Sequence, residues 1–333
     1  MKFNFKKTLG YGFVTIALVL TGLFAYMAYF LPNVDAAPYV EIDKTPERVQ
    51  RGKYLANNVA VCMDCHSSRD WSRFSAPLAA GTLGKGGEYF GPEMGFPGKF
   101  YSRNLTPTNL GDWTDGEIFR AITTGVDRHG KALFPVMPYR NYAKLDKEDV
   151  YDIIAYLRSL PPIENEIPNS KADFPMSLLI NTIPKNPQSS QRPNSFNKIA
   201  YGEYLVNAAS CIECHTQVKN GELISELAFS GGREFSMPNG ILRSANITPD
   251  KKTGIGNWDE NFFVKRFKAY SHSDKLPKVG KDEFNTLMPW SMYAGMETKD
   301  LEAMYAFLRT LDPIESQIVL FSERKAVTGE FVK

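Results

Sequence analysis

Two five-residue stretches hold the residues best suited to chemistry: Cys62-Met63-Asp64-Cys65-His66 and Cys211-Ile212-Glu213-Cys214-His215. Both read C-x-x-C-H, the pattern for covalent attachment of a c-type haem. Thiols three positions apart project from one side of a single helical turn, where each can form a thioether with one porphyrin vinyl group. The histidine that follows can turn beneath the macrocycle and offer a nitrogen to iron. The two motifs use all four cysteines and two of the four histidines in the chain. A zinc ribbon also pairs C-x-x-C, but its pairs lie about 15–20 residues apart, whereas residues 66 to 210 separate these two. A redox dithiol has no use for the repeated histidine. A disulfide between such close neighbours closes too small a loop to stabilise much. The spacing therefore predicts two covalently bound haem c groups, held by Cys62, Cys65 and His66 and by Cys211, Cys214 and His215.

An iron bound by one histidine stays five-coordinate unless a second side chain caps it. A methionine cap makes an electron carrier of relatively high potential, because the soft thioether favours the reduced metal; an open face admits small substrates. Met137 and Met288 are the candidates for the second ligand. They lie 71 and 73 residues after His66 and His215, and each precedes a proline, which favours extended backbone at the methionine. Core-filling methionine is the bland alternative for either one alone; the matched pair is what favours ligation. His129 and His272 are the rivals. They lie eight and sixteen residues before their methionines, so they do not match, and His129 sits in the polar turn Asp127-Arg128-His129-Gly130-Lys131. Met63, Met94, Met237, Met292 and Met296 have no repeat partner and read as packing residues. Tyr54, Tyr204, Trp113 and Trp258 are candidates to pack at haem edges, and Arg103 and Arg243 to pair with propionates.

The elements that must position these groups are duplicated. Arg51-Gly52-Lys53-Tyr54-Leu55 precedes the first motif, as Tyr201-Gly202-Glu203-Tyr204-Leu205 precedes the second. Asn104-Leu105-Thr106-Pro107 is echoed by Asn246-Ile247-Thr248-Pro249, Trp113 by Trp258, and Met137-Pro138-Tyr139 by Met288-Pro289-Trp290. Ala155-Tyr156-Leu157-Arg158-Ser159-Leu160 returns as Ala306-Phe307-Leu308-Arg309-Thr310-Leu311, 18 residues from Met to Ala in both halves. The closing segments are amphipathic helices, with Val150, Ile153, Ile154 and Leu157, then Leu301, Met304, Tyr305 and Leu308, at i, i+3, i+4 and i+7. Thr45-Pro46 and the capping box Thr114-Asp115-Gly116-Glu117 mark helix starts, and Asp146 and Thr298 are candidate caps. No run of alternating strands stands out. The sequence is read as mainly α, with long loops and with each haem supplying much of a small core.

The chain has 333 residues, with 39 Lys plus Arg against 37 Asp plus Glu, a balance that gives no sign of a nucleic-acid partner. Lys2, Lys6 and Lys7 precede an uncharged run from Leu9 to Leu31, closed by Pro32. Those 23 residues suffice to cross a bilayer, at about 20 per span. The lysines favour the cytoplasmic side, so the rest should face outward. A cleaved signal ending near Val34-Asp35-Ala36 is the alternative. The expected organisation is an anchor at 1–31, a polar tether at 32–45, a first domain at 46–163, a Pro- and Asn-rich linker at 164–198, a second domain at 199–315 and a tail at 316–333. Within the linker, the apolar patch Phe174 to Ile183 is expected to lie against a domain surface, a second membrane contact being the alternative.

The order R-G-x-Y-L, C-x-x-C-H, N-[LI]-T-P, Trp, M-P-[YW] and A-[YF]-L-R-[ST]-L resembles the multi-haem cytochrome c subunits of bacterial membrane-bound dehydrogenases that oxidise alcohols, aldehydes or gluconate, and related dihaem carriers. The resemblance implies two tandem class I cytochrome c domains with His/Met ligation, His66 with Met137 and His215 with Met288. Such subunits typically carry three haems and a carboxy-terminal anchor, whereas this chain shows two motifs and an amino-terminal apolar run. The leading expectation is a bacterial inner-membrane, single-pass electron carrier with its haems on the periplasmic side. Its donor would be a quinol-oxidising complex or a dehydrogenase, and its acceptor a terminal oxidase or soluble cytochrome. The alternatives are membership of a dehydrogenase complex, a dihaem peroxidase or thiosulfate-oxidising enzyme, and a haem-based sensor.

Overall fold

A computed structural model describes residues 5–323; Lys2 of the expected anchor and residues 324–333 of the tail lie outside the described residues. Helix α1 spans Phe5–Tyr29 and presents its apolar side chains outward, Phe13 being 74% and Leu18 68% exposed. Among the described residues it is the one helix long and apolar enough to cross a membrane, from Leu9 to Tyr29.

The first half runs α2 (Pro46–Tyr54), a π-turn (Leu55–Val59), α3 (Cys62–Cys65), strands β1 (Tyr89–Phe90) and β2 (Gly98–Tyr101), then α4 (Pro107–Leu110), α5 (Asp115–Thr124), α6 (Tyr139–Tyr142) and α7 (Lys147–Ser159). The intervening segment adds β3 (Lys171–Ala172) and the short α8 (Met176–Leu179). The second half repeats the plan with α9 (Lys198–Ala208), α10 (Cys211–Cys214), a small hairpin of β4 (Val218–Lys219) and β5 (Glu222–Leu223), a larger one of β6 (Glu234–Met237) and β7 (Gly240–Arg243), then α11 (Glu260–Lys268), α12 (Trp290–Tyr293), α13 (Thr298–Leu308) and β8 (Phe321–Glu323).

Side-chain caps mark the starts of several of the longer helices. Thr45 accepts from Arg48 N–H ahead of Pro46, Thr114 and Glu117 form the capping box, and Asp146 accepts from Glu148 N–H. Thr298, expected to cap α13, is instead its first helical residue; Glu297 occupies the cap position without a side-chain hydrogen bond. The strands are a second departure. They are two to four residues long and all antiparallel, in the order β1-β2-β3 and β6-β7-β8, too short to leave an alternating pattern. β3 lies in the expected linker and β8 in the expected tail, so both segments are tied into hairpin edges. The expected tether is also docked: Ile42 N–H donates to Asp115 Oδ2 at 2.9 Å, and the Pro38 carbonyl lies against Gly116.

One helix crossing organises each half. A Cβ at Gly52 would stand 1.7 Å from the Asp152 carbonyl oxygen of α7, and one at Gly202 would stand 1.9 Å from that of Ala303 in α13. The glycine of the repeated Gly-x-Tyr-Leu therefore lets two backbones meet, which no other residue allows. Around these contacts Leu55, Val150, Ile154 and Leu157 in one half, and Leu205, Leu301, Met304 and Leu308 in the other, are at most 3% exposed. Each such side chain contributes about 1.5–3 kcal/mol on burial.

The halves meet through reciprocal contacts. Tyr54 Oη donates to Asp300 Oδ2 and Tyr204 Oη to Asp149 Oδ2, both at 2.6 Å. Asn58 Nδ2 donates to the Met292 carbonyl and Asn207 Nδ2 to that of Asn141, both at 2.9 Å. Tyr54 and Tyr204, expected near haem edges, thus serve the contact between halves instead. The π-turn keeps this symmetry. Tyr54 lies eight residues before Cys62, but Tyr204 lies seven before Cys211. A wider turn absorbs the extra residue, so both tyrosines and both asparagines reach equivalent partners.

Candidate functional site

Each C-x-x-C forms one helical turn with its histidine at the carboxy-terminal cap. The residue before each motif, Val61 at φ 44° and Ser210 at φ 53°, is left-handed. That conformation is costly for a β-branched side chain, and it makes the chain turn sharply into the cysteine helix in both halves.

The two histidines are oriented alike. His66 Nδ1 lies 2.7 Å from the Arg103 carbonyl oxygen and His215 Nδ1 lies 2.7 Å from that of Ala245. A carbonyl can only accept, so Nδ1 carries the proton and Nε2 keeps its lone pair, the tautomer a metal-binding imidazole needs. Burial lowers the pKa of both rings and outweighs the carbonyl contact, so they are held neutral. The carbonyls are themselves fixed by the next residues. Asn104 Oδ1 accepts from Thr106 N–H and Oγ1 while its amide donates to the Ile163 carbonyl; Asn246, Thr248 and Ile314 repeat every contact. This is the physical content of Asn-[Leu/Ile]-Thr-Pro: a locked turn that aims the preceding carbonyl at the histidine. Gly86 and Gly231 close the arrangement, donating to the His66 and His215 carbonyls at 2.9 and 2.8 Å.

Cys62, Cys65, His66 and Met137 line one connected cleft of about 2280 Å³, more than twice the ordinary upper size of a small-molecule pocket, about 1,000 Å³. Its walls include Leu105, Trp113, Ile118, Phe134, Tyr142 and Leu157. Tyr142 Oη is satisfied by the Ala60 carbonyl at 2.9 Å, and its counterpart Tyr293 by Ala209 at 2.9 Å, which leaves apolar ring faces toward the space. The same cleft continues to Cys214, Leu287 and Pro289, the last two flanking Met288. Cys211, His215 and Met288 are not among its lining residues, so the cleft holds the first ligand set and only the edge of the second. Burial pushes the Cys62 and Cys211 thiols up to about 12, which suits neutral sulfur in thioethers and not thiolate ligands. No cluster of three or more His, Cys, Asp or Glu able to hold a metal ion occurs among the described residues, against the zinc-ribbon alternative. Flat apolar walls, paired thiols and an oriented imidazole fit a covalently attached haem.

The remaining expected residues are sorted by their contacts. His129 lines the cleft beside Asp127 and Arg128, in the polar turn expected for it. His272 occupies the position before the short 3-10 turn Ser273–Lys275 without a side-chain capping bond and is absent from the cleft lining. Arg103 borders the cleft, whereas Arg243 pairs with Glu234 at 2.8 Å and Ser322 at 2.9 Å and is committed to the hairpin edge. Met63 and Met296 are fully buried and Met292 is 6% exposed, as packing residues should be; Met94 borders the cleft. Arg158 explains the repeated closing motif: it pairs with Asp115 at 2.9 Å and donates to the Leu110 and Trp113 carbonyls, as Arg309 donates to Ile255 and Gly256. The histidine-orienting carbonyls, Tyr142, Tyr293 and the two glycines were not identified from sequence. The tyrosines, five residues after each methionine, were findable; the glycines lie 20 and 16 residues after their histidines, and unequal loops hide them.

No family model matches the chain. Among curated proteins it is 25% identical to the gluconate 2-dehydrogenase cytochrome c subunit of Pantoea cypripedii over 317 residues, 89% of this chain and 67% of that protein. It is 29% identical to the fructose dehydrogenase cytochrome subunit of Gluconobacter japonicus over 249 residues, 69% of this chain and 47% of that protein. It is 27% identical to a diheme cytochrome c-type protein of Cereibacter sphaeroides over 201 residues, 57% of this chain and 64% of that protein. The chain spans from about half to two thirds of the length of these relatives.

Proposed function

We propose that this chain is a membrane-anchored dihaem cytochrome c that passes single electrons and has no substrate of its own. It would carry two tandem class I cytochrome c domains, 46–163 and 199–315, in which His66 and Met137 would hold the first haem iron and His215 and Met288 the second. The observation that carries the reading is the duplicated, oriented imidazole, at 2.7 Å from a fixed carbonyl in both halves. When bound, a c-type haem supplies a one-electron iron couple whose potential is raised by a thioether ligand.

The residues present do the rest. The paired cysteines would hold the haem, and the carbonyls of Arg103 and Ala245 fix imidazole orientation. The apolar walls exclude water, which favours the less charged, reduced state. The cleft lined by the first motif extends to Cys214 of the second, so an electron would pass between two bound haems within the protein. The relatives named as gluconate, fructose and alcohol dehydrogenase subunits favour a dehydrogenase as electron donor. Helix α1 would hold the haem domains at the periplasmic face of the inner membrane.

Met137→Ala tests this directly in the holo-protein. The first haem should lose its far-red sulfur-to-ferric-iron band and bind carbon monoxide when reduced, while the second keeps its spectrum. An unchanged spectrum and potential would remove Met137 as a ligand.

A further inference from the structure

The Met288 loop is held from outside its own half. Ser75 is 1% exposed and belongs to the loop that follows the first C-x-x-C-H. Its hydroxyl donates to the Met288 carbonyl at 2.7 Å and accepts from Trp290 N–H at 2.9 Å, and its own N–H donates to Asn285 Oδ1 at 2.9 Å. One side chain thus clamps both ends of the Met-Pro-Trp turn. The surrounding contacts press the same two segments together: Phe74 N–H donates to Pro277 O at 2.9 Å, Val279 N–H to Ser72 O at 2.8 Å, and the Phe74 ring stacks on Tyr270. Ser75 and Ala76 both take left-handed backbone, φ 63° and 41°, so the loop is bent against its local preference to reach this position.

The clamp is tied back to the first haem motif. Arg69, with a side chain 6% exposed, donates to Asp64 Oδ2 within Cys62-Met63-Asp64-Cys65-His66 at 3.1 Å. It also donates to the Ser75 and Ala76 carbonyls, both at 3.1 Å. A continuous hydrogen-bonded path therefore runs from Asp64 through Arg69 and Ser75 to Met288. The Met137 turn differs: among the described residues no second-half side chain hydrogen-bonds Met137, Pro138 or Tyr139, the nearest such contact being Asn207 to the Asn141 carbonyl at 2.9 Å. The preceding loop is braced by Leu133 N–H to Gly125 O at 2.7 Å and Phe134 stacked on Phe100.

We infer that Ser75 is a positioning residue for Met288, so that the first half sets the distal ligation of the second haem. This rests on the reading of Met288 as that ligand. Contiguous networks with defined geometry carry such coupling, and a thioether held at a fixed distance sustains a higher potential than one free to swing.

The test uses the full-length holo-protein with Ser75→Ala, Ser75→Gly and, as reference, Met288→Ala. Each variant is also combined with Met137→Ala, so that the remaining far-red band belongs to the second haem. Ser75→Ala should weaken that band and lower only the second haem's potential, by up to about tenfold in its reduction equilibrium, about 59 mV for one electron. Ser75→Gly removes the same hydroxyl while relieving the positive φ, so it should give the same shift and keeps the test readable if the alanine variant matures poorly. An unchanged second potential and band in both Ser75 variants, with Met288→Ala abolishing the band, would overturn the inference and leave the ligand assignment standing. A Met288→Ala protein with an unaltered second haem would overturn both.

Discussion

The reciprocal tyrosine–aspartate contacts between the halves are alike in geometry and unlike in surroundings, and that difference can be measured. Asp149 receives Tyr204 Oη at 2.6 Å and also Arg51 at 3.2 and 3.3 Å and Arg192. Asp300 receives Tyr54 Oη at 2.6 Å, but its Oδ1 is buried without a partner. A hydrogen bond to a charged group contributes about 1.5–3 kcal/mol. Tyr204→Phe leaves Asp149 its two guanidinium groups, so it should cost about 1 kcal/mol, whereas Tyr54→Phe strands a buried carboxylate and should cost about 2–3 kcal/mol at neutral pH. The pH dependence follows. Burial raises the Asp300 pKa above its usual value, with the Tyr54 hydrogen bond opposing, Glu297 adding to the rise, and Arg51 and Lys299 lowering it. A carboxyl whose folded pKa is raised binds its proton more tightly in the folded state. Its ionisation therefore costs nothing below the unfolded value, about 3.9, and an increasing amount as pH climbs to the folded value, where the cost levels off. Removing the Tyr54 hydroxyl raises that folded value further. The deficit of Tyr54→Phe against wild type should be smallest below about pH 4 and widen above it. Denaturant unfolding of both holo-variants at a series of pH values provides the assay. A Tyr204→Phe deficit equal to or larger than that of Tyr54→Phe, or a Tyr54→Phe deficit flat with pH, would refute the reasoning.

Gly86→Ala should destabilise the first half by about 2–4 kcal/mol, combining left-handed strain with overpacking, because its Cβ would lie 2.6 Å from the Arg103 oxygen that receives the His66 proton. A shifted first-haem potential beside an unaltered second haem checks it, and wild-type stability would contradict it. Deleting Asn57 shortens the π-turn segment to the length of its counterpart in the second half; the helix should become regular α at a small cost, since Asn57 itself donates to Lys53 O at 2.7 Å and Tyr156 Oη at 3.0 Å. Loss of haem from the first motif in that variant would show that the wider turn serves more than register. His215→Ala should remove the imidazole that would hold the second iron while the first half still matures, which a mass and optical count of haem per chain reports.

The duplicated order of motifs and the closing helices were legible because each rests on spacing that survives in one dimension. Asn104-Leu105-Thr106-Pro107 was visible as a repeat but not as a device, since its work is done by a backbone carbonyl one residue earlier. Tyr54 and Tyr204 were misplaced at haem edges for a related reason: their partners, Asp300 and Asp149, are 246 and 55 residues away, and reciprocity between halves has no local signature. The tether, linker and tail looked shapeless because proline and asparagine density reports what they do not form. Their order comes from single contacts such as Ile42 with Asp115 and the two-residue pairing of β2 with β3. The Ser75 clamp was equally hidden, since nothing near Ser75 in sequence points to Met288.

The central claim is two irons per chain, each closed by imidazole on one side and thioether on the other. A redox titration of the purified holo-protein, followed optically with haem quantified per chain, tests it most directly. Two covalent haems, two one-electron waves and no carbon monoxide binding by the untreated reduced protein are the results expected. A single haem, or an open coordination position on either iron at rest, would contradict it.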